Sequence, residues 1–135
     1  NSGTQGAEVD TALTYNPSSN TLTTGTIDLG NVNISSGTVT SSSSTAVVNT
    51  TAVGNASAIE YTIFVSNGSN IQTQKVFIMD NGTTAYIQEF ATMSNPNLIV
   101  SFSADVNSGN VRLIATKESG ISGSVSYKFS KMIIE

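Results

Sequence analysis

The sequence predicts an all-β protein, and three observations carry that reading. Residues 58 to 66 place Ile59, Tyr61, Ile63 and Val65 on one face and Glu60, Thr62 and Ser66 on the other, the period-two alternation of a half-buried strand. Turn segments rich in Asn, Gly and Ser recur between such runs at intervals of roughly 12 to 14 residues, as all-β folds require. No stretch sustains apolar spacing of three and four over three helical turns, and the β-branched content disfavours helix throughout.

Taken in order, residues 1 to 44 are the weakest part of the pattern. Their apolar residues are sparse and singly placed: Leu13-Thr14-Tyr15, a turn at Asn16 to Asn20, Thr21-Leu22-Thr23, then Ile27, Leu29, Val32 and Ile34. One copy of such a segment cannot bury enough apolar surface to fold alone. It is therefore expected to form a β-rich, intertwined stem that trimerises, with Leu13, Tyr15, Leu22, Ile27 and Leu29 as interface candidates. Ser41 to Ser44 then read as a flexible joint.

The remainder, 45 to 135, reads as a head of seven antiparallel strands. They are 45 to 53, 58 to 66, the continuous apolar run 75 to 79, 85 to 93, 98 to 105, 111 to 115 and 125 to 129. The expected architecture is a jelly-roll-like β-sandwich, with closure of an up-and-down meander into a small barrel as the alternative. The expected core is Ile59, Tyr61, Ile63, Val65, Val76, Ile78, Leu98, Val100, Phe102, Val111, Leu113, Tyr127 and Phe129. Most aromatic residues fall on alternating positions and are expected inside.

Composition narrows the chemistry. The 135 residues carry a net charge of −4 and include 21 Ser, 18 Thr and 14 Asn but no His, Cys or Trp. Without His or Cys the chain lacks the common general base, the thiol nucleophile and the ordinary zinc ligands. Five basic residues, Lys75, Arg112, Lys117, Lys128 and Lys131, are too few to form a stripe for a phosphate backbone, and no apolar run approaches the roughly 20 residues of a membrane span. Nucleic acid and membrane insertion are not expected.

Nine acids remain for catalysis. A glycosidase pair needs two facing each other about 5 to 9 Å apart, and nothing local marks Glu60, Glu89, Asp80 or Asp105 as such a pair. The densest acidic cluster, Glu8 with Asp10, is too small for a calcium loop. No catalytic residue, metal site or cofactor is expected. The single arginine, Arg112, shares a strand face with Ile114 and is expected to fork onto a carboxylate of a neighbouring strand or chain. Phe64 breaks its strand's alternation and is the best candidate for an exposed or interface aromatic. Ligand contact falls by default to the turns, through Asn67, Ser69, Asn70, Asn81, Thr83, Asn95, Asn97, Asn107 and Asn110. The loops at 67 to 70 and 94 to 97 should share one end, with 81 to 84 and 107 to 110 at the other.

The phrase Leu13-Thr14-Tyr15-Asn16-Pro17-Ser18-Ser19-Asn20-Thr21-Leu22-Thr23-Thr24 resembles repeats of tail-fibre and other appendage proteins of marine tailed phages, cyanophages included. Asp80-Asn81-Gly82-Thr83-Thr84-Ala85-Tyr86 and Gly109-Asn110-Val111-Arg112-Leu113-Ile114-Ala115-Thr116 are similar to segments of the C-terminal domains that end such proteins. The resemblance implies a trimeric virion appendage exposed on the particle, attached to other virion proteins upstream. It supplies no catalytic residue. The absence of an initiator Met accords with the C-terminal part of something longer. Host attachment through a surface glycan is the expected function. The alternatives are a purely structural decoration, collar or baseplate component, and a bacterial adhesin or carbohydrate-binding module.

Overall fold

The computed structural model describes residues 14–19, 21–54 and 58–135, with only the backbone of Tyr15 and Leu22. Among them there is no helix. The strands are β1 (Thr14–Asn16), β2 (Thr21–Thr23), β3 (Thr26–Asp28), β4 (Val32–Ser41), β5 (Thr45–Ala52), β6 (Ala58–Asn67), β7 (Asn70–Asp80), β8 (Ala85–Asn95), β9 (Val100–Asn107), β10 (Asn110–Lys117) and β11 (Val125–Ile134). β1 and β2 form a hairpin in which Tyr15 pairs with Leu22. The rest form two antiparallel sheets, a six-stranded one ordered β3-β4-β11-β6-β7-β8 and a three-stranded one ordered β5-β10-β9.

The sheets share one core. Ile59, Tyr61, Ile63 and Val65 of β6, Val76 and Ile78 of β7, and Val125, Tyr127 and Phe129 of β11 meet Ala46 and Val48 of β5, Val100 and Phe102 of β9, and Val111, Leu113 and Ala115 of β10. This is a two-layer β architecture in which each strand offers alternate residues to the interior. Phe129 lies opposite Gly37, where a Cβ would overlap its ring, and meets the Tyr61 ring edge-on with centroids 5.7 Å apart.

Several expectations need correction. The chain is not a simple meander: β6-β7-β8 is one, but β8 hands the chain to β9 of the other sheet and β10 hands it back to β11. Nor does the large sheet close into a barrel, since β3 and β8 end it among the described residues. The sheet also does not stop at residue 44. β4 pairs with β11 along its whole length, Val32 opposite Ile134 through Ser41 opposite Val125, because a neighbouring strand completes what its own sparse apolar residues cannot. The expected joint is a tight turn, with Lys117 Nζ donating to the carbonyls of Ser42 (2.8 Å) and Gly123 (2.6 Å).

Leu98 is 37% exposed and Ile99 is buried in its place, since β9 begins only at Val100, after a cis Asn95–Pro96 bond. The run 75 to 79 is the end of an eleven-residue strand. Val76 and Ile78 point inward, whereas Phe77 and Met79 are exposed, as are Tyr86 and Phe90 on β8. Between Thr73 and Lys75 the pairing of β7 with β8 shifts register, and β8 bulges there with Ala91 at φ 54°.

Candidate functional site

The turns fall into two groups. At one end the β6–β7 hairpin closes with Asn67 opposite Asn70, its bend allowed by Gly68 at φ 61°, a value glycine adopts freely. Ile71 pairs with Asn95, which brings the β8–β9 loop alongside. Asn67 Nδ2 donates to the carbonyls of Ser122 and Ser124, both at 2.9 Å, so the β10–β11 loop lies there too. At the other end the Val53 amide donates to the Gly109 carbonyl at 2.9 Å, and a Cβ on Gly82 would stand 3.8 Å from Val53 Cγ1. The turns at 81 to 84 and 107 to 110 are thus neighbours of one β5 terminus.

These side chains differ in what they have left to offer. Asn81 Oδ1 accepts from the Thr83 amide (3.1 Å), the Thr83 hydroxyl (3.0 Å) and the Thr84 amide (2.9 Å), the local closure typical of Asn in turns. Asn107 Oδ1 accepts from Ser108 Oγ at 2.9 Å and Asn110 Nδ2 donates to the Ser108 carbonyl at 3.0 Å. Asn67 is committed to the adjoining loop. Among the described residues, the side chains of Ser69, Asn70, Asn95 and Asn97 make no hydrogen bond, and all four lie at the first end.

The interface candidates scatter. Arg112 forks onto Asp105, its direct partner on β9, with Nε to Oδ1 at 2.7 Å and the second terminal nitrogen to Oδ2. The guanidinium hydrogen bonds hold the Asp105 carboxyl below the usual carboxylate range. Ile114 is half-buried on the same outer face of the small sheet, opposite Val47. Phe64 is 42% exposed on the outer face of the large sheet, and Ile27 and Leu29 are exposed on or beside β3. Leu13 lies outside the described residues.

The outer face of the large sheet is the feature that sequence reading missed. Phe64 of β6, Ile71, Phe77 and Met79 of β7, and Tyr86, Phe90 and Met93 of β8 are all exposed. Phe64, Ile71 and Met93 border a shallow depression of about 200 Å³. Glu60 and Lys75 form an ion pair of 2.6 Å in their midst. The period-two pattern of β7 and β8 held this information, because large apolar residues occur on both parities of 71 to 79.

A second missed group lies between the sheets. Gln72 and Gln74 occupy inward positions of β7 and are buried. Gln72 Nε2 donates to Gln74 Oε1 (2.6 Å), Gln74 Nε2 donates to Glu89 Oε2 (2.5 Å), and the same oxygen accepts from the Phe102 amide (3.1 Å). Elsewhere the Tyr61 hydroxyl donates to Asn49 Oδ1 at 3.0 Å. Burial pushes that phenol up to about 12, against a smaller pull downward from Thr51. Lys131 Nζ donates to Asn49 at 3.1 Å, and burial lowers the pKa of its ammonium. Among the described residues no three acids gather as metal ligands would.

A two-sheet antiparallel β fold with turn-borne polar groups is therefore the class these observations define. No family model matches the sequence, and no curated protein matches it. Among solved structures, the chain is similar to part of the crystal structure of the Acinetobacter phage vB_ApiP_P1 tailspike protein, with a TM-score of 0.55 and 16% identity, over 74% of this chain and 22% of that one. The matched region spans about a fifth of the tailspike's length, and at this identity the likeness is one of fold.

Proposed function

We propose that the chain is the C-terminal head region of a tailed-phage appendage, a fibre or spike of the kind its Leu13 to Thr24 phrase resembles in marine phages, and that it assembles as a homotrimer and attaches to a saccharide on the host surface. The observation that carries the attachment reading is the set of free amides and hydroxyls at one end: Ser69, Asn70, Asn95 and Asn97. Neutral groups of this kind suit several weak hydrogen bonds to sugar hydroxyls, and repeated copies raise avidity. The fold's likeness to a phage tailspike supports the setting.

The same reading has the head binding without cleaving. It is supported by the engagement of the candidate acids: Asp105 with Arg112, Glu60 with Lys75, Glu89 with Gln74 and Phe102, and Asp80 Oδ1 with the Gly82 amide at 2.9 Å.

Host-cell binding by the 135-residue chain tests the proposal. Asn95→Ala combined with Asn97→Ala should abolish binding with the fold intact, whereas Asn107→Ala should leave it unchanged. Because the contacts are neutral, raising salt from 0.05 to about 0.5 M should weaken attachment only mildly. Binding that survives substitution at both ends would favour the structural-component alternative.

A further inference from the structure

Along one register line the outer face of the large sheet reads Ser36, Ser130, Thr62, Lys75 and Phe90 from β4 to β8, and the next line reads Thr38, Lys128, Phe64, Thr73 and Met93. Each line begins on a small hydroxyl side chain at β4, passes a lysine, and ends on a large apolar side chain at β8. An open groove of about 390 Å³ lies over the small half, bordered by Ser36, Thr38, Thr62, Lys128 and Ser130 and closed on the β7 side by Phe64 and Thr73. The bulky half projects Phe90 and Met93 at the same height on the sheet.

We infer that this face is the contact between copies of the chain, with Phe90 and Met93 of one copy seated in the groove of the next. The inference rests on the homotrimer proposed above and moves its main contact from the first 44 residues to the head. Rotation about an axis parallel to the strands preserves height, so it carries the bulky half of one copy to the level of its neighbour's groove. Two different surfaces meeting head to tail close into a ring when the rotation allows.

Area argues in the same direction. The seven large apolar residues of the bulky half and its border are 39% (Phe77) to 66% (Met93) exposed, which leaves on the order of 700 Å² of side chain bare at roughly 150–250 Å² each. That exceeds the roughly 300–600 Å² of an ordinary monomer's largest apolar patch and approaches the roughly 800 Å² per partner of a stable interface. Glu60 and Lys75 neutralise each other at its centre, so neither needs an opposite charge from the neighbour.

The chain contains no Cys, which makes the contact testable by cross-linking. Phe90 and Ser130 lie three strands apart, roughly 14 Å at the usual spacing, too far for a disulfide within one chain. The double variant Phe90→Cys, Ser130→Cys, oxidised as the full chain, should give covalent trimers. Met93→Cys with Thr38→Cys provides a second pair should the first disturb packing. In light scattering the unmodified chain should weigh three times 14.0 kDa. Phe90→Lys should weigh 14.0 kDa with an unchanged β-sheet circular dichroism spectrum, and Ser103→Lys, on the small sheet, should remain a trimer. A trimer that neither pair cross-links and Phe90→Lys leaves intact would overturn this contact while sparing the trimer. A monomeric unmodified chain would overturn both.

Discussion

The side-chain amide of Gln72 grips Val100 by both of its backbone groups: Oε1 accepts from the Val100 amide at 3.0 Å while Nε2 donates to the Val100 carbonyl at 2.8 Å. The same oxygen accepts from the Ile99 amide at 2.7 Å. β9 is the edge of the small sheet, and its outward backbone groups would otherwise be buried without partners. A glutamine side chain supplies in miniature the hydrogen bonds of a missing strand, and Glu89 continues the arrangement at Phe102.

Gln72→Leu should therefore cost about 2–4 kcal/mol, because it strands two amides and a carbonyl in the interior. Urea unfolding of the variant measures this, and a loss under 0.5 kcal/mol would mean that water replaces the amide there.

The β9 register makes a paired prediction. Ile99→Ala should cost about 2–5 kcal/mol and Phe102→Ala about 3–5, whereas Leu98→Ala and Ser101→Ala should each stay within about 1 kcal/mol. Equal costs at 98 and 99 would place the start of the strand one residue earlier.

Alkaline titration should reveal Tyr61. Its folded pKa of about 12 lies above the unfolded value of 10.0, so its contribution is fully present below pH 10 and is lost as pH rises from 10 through 12. Two pKa units correspond to about 2–3 kcal/mol. In Tyr61→Phe that decline should shrink to the net of two opposing contributions: Tyr127, whose pKa burial raises as well, and Lys131, whose burial-lowered pKa adds stability as pH rises toward 10.5. Stability measured at pH 9 to 12 for both proteins decides it.

Gly37→Ala should cost about 1–3 kcal/mol, the usual range for overpacking, because the new methyl overlaps the Phe129 ring. Adding Phe129→Leu should relieve part of that loss. A double-mutant cycle with no coupling would show that the ring moves aside freely.

Much of the head was legible because its strands obey period two: the inward faces of β6, β10 and β11 follow directly from Ile59 to Val65, Val111 to Ala115 and Val125 to Phe129. β7 was half hidden, since Gln72 and Gln74 put polar residues on buried positions and broke the apolar alternation that marks a strand. β4 was misread for a related reason. Gly37 is small because the Phe129 ring covers it, and Asn33 and Ser35 add no apolar surface on the same side of the strand, so its sparse apolar content looks like a segment unable to fold in one chain. Sheet order depends on pairings between distant strands, and no local pattern encodes that β11 separates β4 from β6. As for the candidate site, turn positions followed from Asn and Gly, but whether an Asn spends its amide on its own turn depends on geometry that Asn81 and Asn95 do not disclose in sequence.

The bulge at Ala91 bears on what the open edge of the large sheet presents to another strand. Eleven-residue β8 is an edge of the large sheet, and long, apolar edges of this kind template the growth of cross-β fibrils. By shifting the strand out of step halfway, the bulge leaves an incoming strand unable to stay in phase with both Ala85 to Phe90 and Thr92 to Asn95. Neither stretch offers more than about six consecutive ladder positions, the minimum for a steric zipper. The bulge thus shortens the template that this edge offers to another strand.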